Sequence, residues 1–259
     1  MSKTKNNHYV SRWLSRNFKK DGALYCLDCK TKTIERKSEK NLFAIRRLWD
    51  QELEDLVSKE FDTKYAPVIN SVRKMPFNSV TGDAVSLHKI EDCKIEKALN
   101  EFMAKQMFIS KTAISGIPVD MLSQVLRITQ QNPYKVFVAI INKQVSDCMP
   151  LVLADNPLFL DIAITDREQM IYDLCFMFPI SERELLIFAK STDSLECVLR
   201  GYHSIHEMNV HMIAQNAVEC QVASGNRRYL EILAEDLELI KKYRKDRSYT
   251  IQNLRNLDL

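Results

Sequence analysis

Glycine constrains this chain more than any other residue: five occur in 259 positions, at 22, 82, 116, 201 and 225. None of them falls in a phosphate-cradling loop, a Gly-x-Gly-x-x-Gly dinucleotide turn or a Gly-x-Ser-x-Gly elbow around a nucleophile. Each of those devices needs glycine where backbone turns sharply or approaches a ligand. Nucleotide-motor, Rossmann and α/β-hydrolase readings are thereby excluded. The rest of the composition is that of an ordinary globular protein, 46% hydrophobic and 27% charged. A net charge of +3 is too small to mark a nucleic-acid binder by itself. A chain this long buries enough apolar surface to fold without a metal or a disulfide.

Seven cysteines, at 26, 29, 93, 148, 175, 197 and 220, are an odd number, and several sit inside apolar runs. They read as reduced, buried thiols of a cytoplasmic protein. The opening MSKTKNNH has no apolar core of a signal peptide, and runs such as VFVAII at 136–141 are too short to span a bilayer, so no membrane association is expected.

The patterning predicts an α+β fold, a mostly helical single domain over 1–259 with a small antiparallel or mixed sheet, an N-terminal β-hairpin and a basic tail from about 241. A short helix carries Val10, Trp13 and Leu14. The run ALYCLDCKTKTIERKS reads as two strands around a turn at 28–32. Helical periodicity runs from about Leu48 to Val72, interrupted at Pro67, and Phe77 to Leu87 reads as a loop. Glu91 to Ile109 is the clearest amphipathic helix, and helices follow at 118–130 and 133–144, each opening on proline. The runs MPLVLADNPLFLDI and DLCFMFPISERELLIFAK read as strands of one small sheet, and helices at 204–222 and 227–242 close the chain.

Several polar residues stand on faces that should be buried. Gln106 shares a stripe with Leu99, Phe102 and Met103, and Asn209 and Asn216 share one with Ile205, Met212 and Cys220. A buried amide must find hydrogen bonds. Asp155, at the end of the apolar LVLA, opens an Asp-Asn-Pro sequence suited to a turn. It is equally a carboxylate at a strand terminus facing a pocket. Phe178-Pro179-Ile180-Ser181 repeats that arrangement with a hydroxyl. His8 has the side chain for general acid or base work at neutral pH. Cys26-x-x-Cys29 is half a zinc site with no second half, so zinc is not favoured, while a divalent cation at Asp155 stays open. The histidines at 203, 206 and 211 with Glu207 read as a hydrated helix start.

Taken in order, HYVSRWLSRNF, LYCLDCKTKTIERKS, FMAKQMFIS, LVLADNPLF and FMFPISERELLI resemble a widespread bacterial family known only as a domain of unknown function. The resemblance runs from His8 to about Leu230. It points to His8, Tyr9, Arg16, Phe18, Gln106, Asp155, Asn156, Pro157, Pro179 and Ser181. Ser11, Ala154, Ile109 and Cys29 depart from the pattern, Ile109 standing where the family carries an arginine.

From the polar set the leading expectation is a hydrolase directed at nucleic acid, a phosphodiesterase or nuclease-like effector of a phage-defence or toxin system. His8, Asp155 and Asn156 would be its catalytic residues, and Tyr9, Arg16, Gln106, Ser181 and Asn209 would bind substrate. Lys241, Lys242, Arg244 and Lys245 would contact the phosphate backbone. The partner would then be nucleic acid or another protein of the same system. Two alternatives stay open: a non-enzymatic interaction module in which the inward amides are structural, and a backbone binder using the basic C-terminal helix. Whether the polar side chains line an open concavity or are enclosed by partners separates the first from the hydrolase.

Overall fold

The computed structural model describes residues 6–8, 10–46, 63–77, 84–115, 133–166, 171–216 and 221–237. The chain begins with β1 (Asn6–His8) and α1 (Arg12–Arg16), which buries Leu14 and Ser15. An Asp-Gly turn follows, with both Asp21 (φ 51) and Gly22 (φ 73) in the left-handed region and Lys20 bridged to Ala23. That is the twist a two-residue hairpin turn requires. The hairpin β2 (Tyr25–Asp28) and β3 (Thr33–Arg36) turns on Asp28, whose Oδ1 accepts from the amides of Lys30 and Thr31. Then β4 (Ala44–Arg46) returns to pair antiparallel with β1, His8 opposite Ala44.

Next come α2 (Ala66–Arg73), β5 (Val85–Lys89) and the long α3 (Cys93–Ser115). They are followed by β6 (Lys135–Ile141) and α4 (Lys143–Cys148), the helix being capped by Asn142, which accepts from the Gln144 amide. Four strands succeed them: β7 (Leu153–Ala154), β8 (Phe159–Asp166), β9 (Ile171–Pro179) and β10 (Glu184–Ala189). Ser191 caps α5 (Thr192–Arg200) by accepting from the Ser194 amide. The described chain closes with α6 (Ile205–Asn216), β11 (Gln221–Ser224) and α7 (Arg227–Glu235), the last capped by Asn226.

Two antiparallel sheets organise these elements. The larger has the order β5-β6-β10-β9-β8, and the other β3-β2-β11-β7. In the larger sheet the register aligns Leu87, Ala139 and Leu185 in one row, and Ile187, Met177 and Phe159 in a parallel row on the same face. Residues one step along, Val138, Leu186 and Phe178, point to the opposite face. There α3 packs, with Phe102 edge-on to Phe178 at 4.8 Å. The first face is covered by α5 and α6: Cys175 lies against the Ser194 carbonyl, and Phe159 meets His211. Because both faces are covered, β6 and β10 read as unbroken apolar runs rather than alternating ones. α7 packs on the four-stranded sheet.

The α+β class stands, but two sheets of this size make the fold less helical than expected. The predicted helix at 133–144 is the strand β6 followed by the short α4. VFVAII is β-branched at four of six positions and lies second from the sheet edge, where tertiary burial overrides a helical reading. The end of the predicted loop, Val85 to Leu87, is part of β5. The helix expected to 222 is described as α6 as far as Asn216, and Gln221–Ser224 is instead a strand between β2 and β7. MPLVLADNPLFLDI does not serve one sheet: β7 joins the smaller sheet and β8 the larger. Pro67 stands in the first turn of α2, and the helical stretch expected before it, over 48–62, lies outside the described residues. Cys93 and Cys148 are exposed, so the expectation of buried thiols holds for Cys26 and Cys175 and not for these two. The helix predicted at 118–130 lies outside the described residues.

Candidate functional site

Asn209, 0% exposed on α6, makes three hydrogen bonds: Oδ1 accepts from the Val152 amide at 3.2 Å, and Nδ2 donates to the Pro150 carbonyl and the Tyr229 hydroxyl, both at 2.8 Å. It fastens the chain entering β7 to α6 and α7. Asp155, 1% exposed beyond the other end of β7, accepts from the Gln221 amide through Oδ2, while its own amide donates to the Gln221 carbonyl. Asn156 beside it is buried. Ser181 organises the β9–β10 turn, donating to Glu184 Oε2 at 2.6 Å and accepting from the amides of Arg183 and Glu184. Arg16 is largely exposed and lies 3.4 Å from Glu39. Lys19 also pairs with Glu39, and that hydrogen bond holds the Glu39 carboxyl down at about 2.

Gln106 is 6% exposed on α3, which covers one face of the larger sheet, whereas Asn209 sits on α6 across the other face. The helices that carry these two amides are thus kept apart by the sheet. His8 lies in β1, paired with Ala44, its side chain outside the described set. Tyr9, Lys241, Lys242, Arg244 and Lys245 lie outside the described residues, as does the side chain of Asn216. The spatial meeting of His8 with Asp155, on which the hydrolase expectation turns, falls outside them too.

Sequence reasoning missed three polar groupings because their members are far apart in the chain. Arg73 of α2 donates to Glu184 Oε2 at 2.7 Å and to Asn17 Oδ1 at 2.8 Å, and Asn17 Nδ2 donates to the Ile180 carbonyl. This ties the segment after α1 to the Pro-Ile-Ser turn, so two of the motifs do meet. Glu182 accepts from Ser224 Oγ and the Gly225 amide; burial pushes its carboxyl above the ordinary glutamate range against those two bonds. Tyr202 donates to Asp161 Oδ2 at 2.5 Å, with His211 Nε2 3.7 Å from the same oxygen. The reading of a hydrated helix start holds for His203, which is exposed, and not for His211, which is buried, or for His206, which is held between Tyr229 and Asp236. Burial raises the Cys26 thiol to about 11. Among the described residues no group of three or more histidine, cysteine, aspartate or glutamate side chains is placed to hold a metal ion.

Among the described residues a concavity lies elsewhere. At the β5 end of the larger sheet, α5 and α6 leave a corner uncovered, and a cavity of about 520 Å³ opens there. Its floor is Val85, Leu87, Ala139, Ile141 and Leu185, and α4 closes one end with Val145 and Met149. The roof comes from the α5–α6 connection, where Leu199, Ile205 and Met208 are joined by Tyr202, His203 and Ser204. This volume falls in the range of small-molecule sites, and the lining is mainly apolar with few polar groups.

A family model described as "Protein of unknown function (DUF4238)" matches residues 6–132. Over that span the chain is similar to this family. No curated protein and no solved structure matches the chain. The DUF4238 match takes in the N-terminal pair, the hairpin, α2, β5 and α3. The cavity therefore draws three lining residues, Ala84, Val85 and Leu87, from the matched span and the rest of its described lining from the sequence beyond it. No helix among the described residues is long and apolar enough to cross a membrane.

Proposed function

We propose that this protein is a non-catalytic binding module whose ligand site is the corner cavity. The observation that carries the reading is a division of labour among side chains. Asn209, Asp155 and Ser181 spend their hydrogen bonds on backbone and neighbouring side chains, as structural groups do, while the accessible concavity among the described residues is apolar. A catalytic carboxylate or hydroxyl has to meet substrate, and an enclosed one does not.

The competing proposal is the nucleic-acid hydrolase with His8, Asp155 and Asn156 at its centre, supported by the placement of Asp155 where an apolar strand ends. One assay separates the two. Purified wild type and His8→Ala are incubated with RNA and with DNA, in Mg²⁺, in Mn²⁺ and in EDTA. The binding reading expects background-level product throughout. Product from the wild type above background overturns the non-catalytic reading, and its loss in His8→Ala assigns the activity to the hydrolase site.

A further inference from the structure

We infer that the corner cavity takes a neutral acyl compound, an aliphatic chain ending in an uncharged carbonyl group such as an amide or ester. The inference rests on the cavity being the ligand site and adds what fills it. In the floor, Ala139 stands in register between Leu87 and Leu185, so a single methyl lies between two longer side chains and leaves a trough across the sheet. Met149 and Met208, at the end wall and roof, are the unbranched, adaptable side chains that suit a flexible chain better than a rigid ring system. Leu87 is 40% exposed at this rim, a large apolar side chain that folding alone leaves in water.

The polar end is set by three neighbours. Tyr202 gives only its ring, because its hydroxyl is committed to Asp161. Ser204 Oγ accepts from the Glu207 amide, which leaves the serine's own proton to donate to a carbonyl oxygen. The exposed His203 imidazole stands beside it as a second polar group. Glu207, however, accepts from the His203 amide at 2.9 Å, which places a carboxylate next to these groups. A ligand carboxylate would meet that like charge, whereas a neutral carbonyl would not.

The test uses the full chain and the neutral fluorescent probe N-phenyl-1-naphthylamine, displaced by decanamide or by decanoate. Saturable probe binding is expected, with decanamide displacing it and decanoate on the order of tenfold weaker. Ala139→Leu fills the trough and Leu87→Ser removes the rim; each is expected to weaken probe and decanamide binding by about tenfold or more. Leu174→Ser and Ile232→Ser, at the other exposed large apolar positions among the described residues, are expected to leave both unchanged. If Ala139→Leu loses cooperative thermal unfolding, the exposed Leu87→Ser decides alone. Absence of saturable binding, binding that survives both cavity substitutions, or decanoate binding as tightly as decanamide overturns the inference. Failure here with a blank nucleic-acid assay removes the acyl ligand and leaves a non-catalytic protein; nuclease product together with decanamide binding does the reverse.

Discussion

Single residues carry the joints between distant segments, and their substitution should be costly for reasons that differ from site to site. At Gly225 an added Cβ would lie 2.2 Å from the backbone nitrogen of Lys20, which cannot move without shifting the Asp-Gly turn. Gly225→Ala is therefore expected to lower unfolding stability by about 2–4 kcal/mol, measured by denaturant titration. A loss under about 0.5 kcal/mol would show that the turn gives way freely. Asn209→Ala strands the buried Val152 amide and the Pro150 carbonyl, and a cost of about 2–4 kcal/mol follows from leaving such groups without partners. Ser15 predicts the opposite sign. Its Oγ is buried and has no hydrogen-bond partner, so Ser15→Ala should be neutral or stabilising by up to about 1 kcal/mol in the same titration. The inward position of Asn209 and Gln106 was legible from helical spacing. What Asn209 bonds to was not, since Pro150 and Val152 lie 59 and 57 residues away.

Among elements, legibility followed how locally each one is determined. The hairpin β2–β3 and the stripe of α3 were readable, because turn residues and 3.6-residue spacing are properties of neighbouring positions. β6 was not, since VFVAII buried on both faces has no alternation to betray it and only its partners β5 and β10 make it a strand. β11 was missed for a related reason: Gln221–Ser224 is four residues long and exists as a strand only between β2 and β7. The joint between β11 and the β9–β10 turn also sets a pH dependence. Burial raises the Glu182 carboxyl, so its contribution to stability is fully present below the ordinary glutamate value and is lost as pH rises through the raised folded value. Glu182→Gln keeps an acceptor for Ser224 and Gly225 and removes the charge. Its melting temperature should exceed that of the wild type at pH 8, with the gap closing by pH 4. Equal melting curves for the two proteins at both pH values would contradict the buried-anion account.

At the scale of the whole molecule, the resemblance read from five dispersed motifs and the family match over 6–132 agree on the N-terminal half, and the structure ties that half to the rest through Asn17, Arg73 and Glu184. The cavity was invisible in sequence because its walls come from β5, β6, α4, β10 and the α5–α6 connection, and Leu185 alone of its lining falls within one of the five motifs. Polar residues draw the eye in a sequence, and in this fold the described ones fasten segments together. The apolar corner they frame is proposed as the place where a partner molecule is met. Methyl-resolved NMR of the full chain titrated with decanamide addresses that directly. Progressive shifts are predicted for the methyl groups of Ala139, Ile141, Leu185 and Ile205, with those of Val152 and Ala154 beside Asp155 unmoved. Shifts centred on Val152 and Ala154, or none at the four cavity residues, would contradict the account.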